Sequence, residues 1–153
     1  MFSAREIIDM AIKIERNGEN YYRQATVKVT DPSLQSLLLF LADEEHEHAR
    51  WFEAFKQRIK DSDEDRKLAE ISGTMLQSVV GNQRFSLDDA DLAELDSTDK
   101  LIGIAIEFEK DSILFYEMLQ SFIEDSETLR QLNEIIAEEN RHIEMLNDYK
   151  RPH

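Results

Sequence analysis

The chain has 153 residues and no cysteine, and its 33 acidic against 18 basic side chains leave a formal charge of -15. This length holds one domain with its own core. Without cysteine there are no disulfides, thiolate ligands or iron–sulfur or rubredoxin centres inside this polypeptide, and the acidic balance argues against a basic nucleic-acid-binding surface.

Four long helical patterns fill most of the sequence. The first is predicted from near Ser3, where Ser3 and Glu6 fit a capping box, to about Lys28. Asp31-Pro32 marks the next start, with Asp31 as N-cap and Pro32 in the first helical position, and this second helix runs to about Lys60. Residues 61–96 break the rhythm with the charged run Asp61-Ser62-Asp63-Glu64-Asp65 and the breakers Gly73 and Gly81, and read as a long crossover. A third helix begins around Ser97 to Asp99 and ends near Phe122; a fourth starts close to Ser126 and reaches about Tyr149. The short connections predict two antiparallel helical hairpins within a single all-α domain spanning 1–153. The start of the chain carries charge within five residues and lacks the apolar core of a signal peptide, and no apolar run is long enough for a membrane span, so a cytoplasmic protein is expected.

The two hairpins are related. Glu15, Glu45 and His48 recur as Glu109, Glu139 and His142 at a constant displacement of 94 positions, which also carries Tyr22 onto Tyr116, Asp31 onto Asp125 and Leu38 onto Leu132. Both lone glutamates sit in apolar stripes: Ile8, Ala11, Ile12 and Tyr22 surround Glu15, and Ile102, Ala105, Ile106 and Tyr116 surround Glu109. A carboxylate facing a core must find a partner or take up a proton, and four converging carboxylates would repel one another. Two divalent cations would balance their four charges. Residues three apart on a helix lie about 60° apart around its axis, so Glu45 with His48, and Glu139 with His142, can address one point. This is the Glu-x-x-His element of helical dinuclear carboxylate sites, with Glu15 and Glu109 completing the set. Carboxylate oxygens with imidazole suit iron first, with manganese or zinc as substitutes.

The segments Ile14-Glu15-Arg16-Asn17-Gly18-Glu19-Asn20-Tyr21-Tyr22 and Leu41-Ala42-Asp43-Glu44-Glu45-His46-Glu47-His48-Ala49, with their counterparts Phe108-Glu109-Lys110-Asp111-Ser112-Ile113-Leu114-Phe115-Tyr116 and Ala137-Glu138-Glu139-Asn140-Arg141-His142, resemble the rubrerythrin-type branch of the ferritin-like di-iron proteins over nearly the whole chain. The resemblance implies a ferritin-like four-helix bundle with a long crossover between its hairpins and two iron ions. Glu45 and Glu139 would bridge or clamp the metals, Glu15 and Glu109 would each ligate one, and each histidine would cap one. It also implies that Tyr22 and Tyr116 bond to metal-bound carboxylates and relay electrons. As residues alone, they read equally well as core aromatics whose hydroxyls find any buried acceptor.

Two departures qualify the resemblance. Full-length rubrerythrins carry a cysteine-based rubredoxin domain that this chain lacks, so electrons would come from a separate donor protein such as a rubredoxin. The extra glutamate that the family places one turn after its third-helix ligand is here Ser112, which weighs against efficient peroxide reduction. The expected function is oxidation of Fe(II) with O2 or H2O2, of ferroxidase or peroxidase type; the alternatives are iron binding or delivery without turnover, and a structural bundle with an adventitious site. Gly18 and Ser112 leave room for an oxidant or serve close helix packing. His46 should point away from the site, Glu44, Glu47 and Glu138 read as solvated, and Glu19 is a candidate outer partner. The aromatics near Trp51 and the long crossover suggest a homodimer; no nucleic acid or membrane partner is expected.

Overall fold

The computed structural model describes residues 4–59 and 98–150. They form α1 (Ala4–Lys28), α2 (Pro32–Arg58), α3 (Thr98–Gln120) and α4 (Ser126–Lys150), with no strand among the described residues. The predicted crossover 61–96 and Ser3 lie outside them. α2 and α3 each end about two residues earlier than the sequence predicted. At α2 the chain turns extended at Ile59, whose N–H returns to the Phe55 and Lys56 carbonyls.

The helix starts follow the capping chemistry. Asp31 is extended, accepts a hydrogen bond from the Ser33 N–H at 3.3 Å and is followed by Pro32 at the first helical position. Its counterpart Asp125 accepts from both the N–H and the hydroxyl of Thr128, at 2.9 and 2.6 Å. The 94-residue relation thus extends to the devices that start α2 and α4.

Packing is closest within each hairpin, α1 along α2 and α3 along α4. Cross-helix bonds fix the directions. Arg5 reaches the Ile59 carbonyl from the start of α1, and Lys56 near the end of α2 pairs with Asp9, so α1 and α2 are antiparallel. Trp51 meets Gln131 while Tyr149 bonds to Asp31, so α2 and α4 are antiparallel as well. The core runs through all four helices, from Ile7, Ile8 and Ala11 through Leu38, Phe52 and Phe108 to Leu132 and Leu146. No helix among the described residues is long and apolar enough to cross a membrane. Contacts between the hairpins, α1 with α3 and α2 with α4, are sparser than those within them.

Candidate metal centre

Each helix delivers its share of the repeat. α1 contributes Glu15, α2 Glu45 and His48, α3 Glu109, and α4 Glu139 and His142, and all six are at most 3 % exposed. Their ligand atoms form two groups of four, each within 4.8 Å: Glu15, Glu45, His48 and Glu139, then Glu45, Glu109, Glu139 and His142. Glu45 and Glu139 are common to both groups. One pair of carboxylates therefore lies between two positions, each completed by one further glutamate and one histidine. The imidazoles stack at 6.1 Å with 20° between their planes.

Their orientation identifies the inward atoms. His48 Nδ1 lies 2.7 Å from Glu139 Oε1 and 3.5 Å from Glu15 Oε2; His142 Nδ1 lies 3.2 Å from Glu45 Oε1 and 3.5 Å from Glu109 Oε1. Even so, neither Nδ1 has a partner at hydrogen-bonding angles, and the same is true of Glu15 Oε2, Glu109 Oε2 and both oxygens of Glu45 and Glu139. These eight atoms are the buried side-chain polar atoms lacking a partner among the described residues, and every one belongs to the six side chains of the repeat. Native interiors satisfy nearly all such atoms. A concentration of oxygen and imidazole lone pairs facing a common space is what a pair of hard or borderline divalent cations requires. The residues fit the group.

The outer atoms are held by a reciprocal lattice. Tyr22 donates to Glu109 Oε1 at 2.6 Å, and Tyr116 donates to Glu15 Oε1 at 2.5 Å. His48 Nε2 meets Glu138 Oε2 at 2.6 Å, and His142 Nε2 meets Glu44 Oε1 at 3.4 Å. Each contact joins one hairpin to the other and maps onto its partner by the 94-residue shift, so the two halves are related by an internal pseudo-two-fold. Glu44 and Glu138 are thus not simply solvated, as sequence reasoning had them. They are about a quarter exposed and orient the imidazoles from outside, leaving Nδ1 to face inward.

Charge balance in the metal-free protein explains the titration behaviour. Burial, reinforced by neighbouring carboxylates with Glu109 foremost, pushes Glu45 and Glu139 well above the usual carboxylate range. Burial acts the same way on Glu109, but the close approach of Glu139, His142 and Tyr22 overcomes it and holds Glu109 down at about 2. Burial disfavours a charged His48, but the Glu15 charge and the contacts to Glu138 and Glu139 outweigh it and raise His48 well above 6.5; His142 is raised too, with Glu109 outweighing burial. The raised groups favour their protonated forms, which offset part of the charge that cations would balance.

Glu19 is not an outer partner of the centre: it pairs with Arg16 and Arg23 and lies 3.3 Å from His46 Nδ1, on the outer face between α1 and α2. His46 also faces Arg16, at 3.0 Å, and points away from the centre. Close packing accounts for Gly18. A Cβ there would stand 2.8 Å from Phe108 Cε1 and 3.3 Å from Glu45 Oε2, so glycine admits the Phe108 ring beside the carboxylate. Its counterpart Ser112 is buried and donates to the Phe108 carbonyl at 2.9 Å.

Two variants test this surrounding shell. Glu138→Ala is expected to weaken metal affinity by roughly 10–100-fold, with Glu44→Ala nearer the lower end because its bond to His142 is longer. Competitive metal titration reads both, and equal affinity in all three proteins would show the two glutamates to be idle. Gly18→Val forces Phe108 and Glu45 apart, and overpacking of about 1–3 kcal/mol exceeds the few tenths gained from helix propensity. Urea unfolding should show a net loss of stability, together with weaker metal binding.

Comparison with known proteins places the fold. A crystal structure from Thermotoga maritima, of a protein named as a ferritin-like diiron-carboxylate protein, superimposes with a TM-score of 0.80 at 25% identity, covering 98% of this chain and 95% of that one. No curated protein matches the chain. The rubrerythrin family model matches residues 6–150, and the fold is the ferritin-like helical bundle. With its buried glutamate and histidine cluster placed where two metals can be held, the chain belongs to the rubrerythrin family.

Proposed function

We propose that this protein is a di-iron redox protein that oxidises Fe(II) with O2 or H2O2, drawing electrons from a separate donor protein such as a rubredoxin. One observation carries the reading: among the described residues, the eight buried side-chain polar atoms without a hydrogen-bond partner all belong to Glu15, Glu45, His48, Glu109, Glu139 and His142. Glu15 and His48 would hold one ion, Glu109 and His142 the other, with Glu45 and Glu139 between them. When bound, the iron pair supplies the cycling between ferrous and ferric states that no side chain provides.

The chain's own residues set the conditions for that chemistry. Tyr22 and Tyr116, whose hydroxyls burial and the adjacent carboxylates keep protonated, fix the outer oxygens of Glu109 and Glu15, so that the free oxygens face inward. Glu138 and Glu44 hold the imidazole Nε2 atoms and so leave Nδ1 as the donor atom. Leu38, Phe52, Phe108 and Leu132 are fully or almost fully buried, and Phe108 packs beside Gly18 close to Glu45. A second reading, iron binding or delivery with slow turnover, is favoured by the Phe108 ring, which fills the space beside Gly18 where an oxidant could otherwise sit.

Anaerobic titration with Fe(II) tests the proposal. About two irons per chain are expected from four glutamates and two histidines; a stoichiometry near zero would sink it. Rapid-mixing absorbance with O2 and H2O2 in turn then separates the two readings, since slow oxidation by both oxidants means binding without useful turnover.

A further inference from the structure

The internal pseudo-two-fold breaks down in the aromatic residues. Tyr116 OH bonds to Glu15 at 2.5 Å, the Tyr116 ring lies 5.1 Å from Phe52, and Phe52 lies 5.0 Å from Trp51. Tyr116 and Phe52 are fully buried, whereas Trp51 is only partly so, with its indole N–H bonded to Gln131 Oε1 at 2.7 Å. A continuous line of rings therefore leads from the centre to the surface. Among the described residues the corresponding line from Tyr22 does not: that ring meets Tyr21 at 5.7 Å, and Tyr21 is buried with its hydroxyl tied to the Leu101 carbonyl. Shifted by 94 positions, Trp51 and Phe52 become Met145 and Leu146, so the second hairpin has no equivalent of the ladder.

Packing alone explains buried aromatics on either side. It does not explain why the chain's single tryptophan, its most easily oxidised side chain together with tyrosine, stands two rings from a tyrosine bonded to a ligand carboxylate. We propose that Trp51, Phe52 and Tyr116 form the one-electron route between the surface and the Glu15 side of the centre, Trp51 being its outer redox group and Tyr116 its inner one.

The proposal rests on the redox reading of the centre. With an oxidised iron pair held at the centre, Tyr116 would give up one electron to it and its phenolic proton to Glu15 Oε1, becoming a neutral phenoxyl. Trp51 then returns one electron to it across Phe52, which is never itself oxidised, and the proton returns from Glu15. The one-electron-deficient indole is refilled at the surface by an external one-electron reductant, of the reduced flavin or iron–sulfur protein class. The net result is one electron moved inward, with no proton gained or lost. Tyr22 takes no part and serves only to hold Glu109.

The test needs no metal. Tyr149→Phe removes the one tyrosine that is not buried, and the full-length chain carrying it is flash-oxidised by a photogenerated ruthenium(III) polypyridyl complex, then freeze-quenched for electron paramagnetic resonance. An indole radical that converts to a tyrosyl radical is expected. In that background Trp51→Phe should lose the tyrosyl signal down to the level of Tyr116→Phe, while Trp51→Tyr, which restores an oxidisable ring, should recover it. An undiminished tyrosyl signal in Trp51→Phe, or an indole radical that never passes inward, would overturn the route. Iron stoichiometry is measured separately, so a chain that transfers the hole but binds no iron refutes the di-iron reading, and one that binds two irons without transfer refutes the ladder.

Discussion

Glu45→Ala and Glu139→Ala are each expected to abolish loading of both metal positions, whereas Glu15→Ala or Glu109→Ala should leave one position able to bind. The asymmetry follows from the shared pair. Glu45 and Glu139 belong to both groups of four ligand atoms, so loss of either leaves three donors on each side; Glu15 and Glu109 belong to one group apiece. The loss should exceed the roughly 10–100-fold expected from removing an outer partner. Anaerobic Fe(II) titration gives the number bound. Equal loss of stoichiometry in all four variants would mean that the positions fill only together.

The same substitutions separate a metal site from a structural ion cluster. Glu45 is held above the usual carboxylate range by burial and by three neighbouring carboxylates, so it does not stabilise the metal-free fold as an ion. Glu45→Leu should leave the metal-free chain as stable as before, or more stable by up to about 4 kcal/mol, as when buried polar clusters elsewhere are replaced by apolar side chains. A loss of about 3–5 kcal/mol would instead identify the contact of Glu45 with His142, at 3.2 Å, as a structural pair.

Much of this was legible in the sequence because helices convert spacing into direction. Asp31-Pro32 announced the start of α2 through capping chemistry that acts within three residues, and the apolar stripes around Glu15 and Glu109 marked them as buried before any neighbour was known. Duplication turned a common Glu-x-x-His into a constellation. What spacing could not state was which helix answers which. Nothing local says that Tyr22 bonds to Glu109 rather than to Glu15 on its own helix, or that Phe108 occupies the gap at Gly18, since both depend on how the hairpins dock. Glu44 and Glu138 do carry a signal in the sequence. They are related by the same 94 positions and lie four residues before His48 and His142, one turn away on the same face, so each can reach past its own helix to the histidine opposite.

Divalent metal should stabilise the protein far more at about pH 8 than at about pH 5, because metal and protons compete for the same atoms. In the metal-free native state Glu45 and Glu139 keep protons that the unfolded chain releases around 4.5, and His48 and His142 keep protons released around 6.5. Wherever the native state binds more protons than the unfolded one, stability falls as pH rises. The contribution of the histidines is thus complete below about 6.5 and is lost as pH climbs through their raised native values, and the two raised carboxylates act in the same direction from about 4.5 upward. Glu109 works in the opposite sense, but its contribution is lost only as pH falls from 4.5 towards 2, outside this window. The metal-free thermal midpoint should therefore decline between about pH 5 and pH 8. Metal at about a thousand times its dissociation constant adds about 4 kcal/mol, worth on the order of 10 °C for a chain of this size, and this increment should shrink towards acid as protons displace the ions. Thermal scans at the two pH values, with and without Zn(II), read both slopes. A metal-free midpoint that rises over this range would show that Glu45 and Glu139 are ionised in the native state, and that the charge of the centre is balanced by something other than the protons that metal is expected to replace.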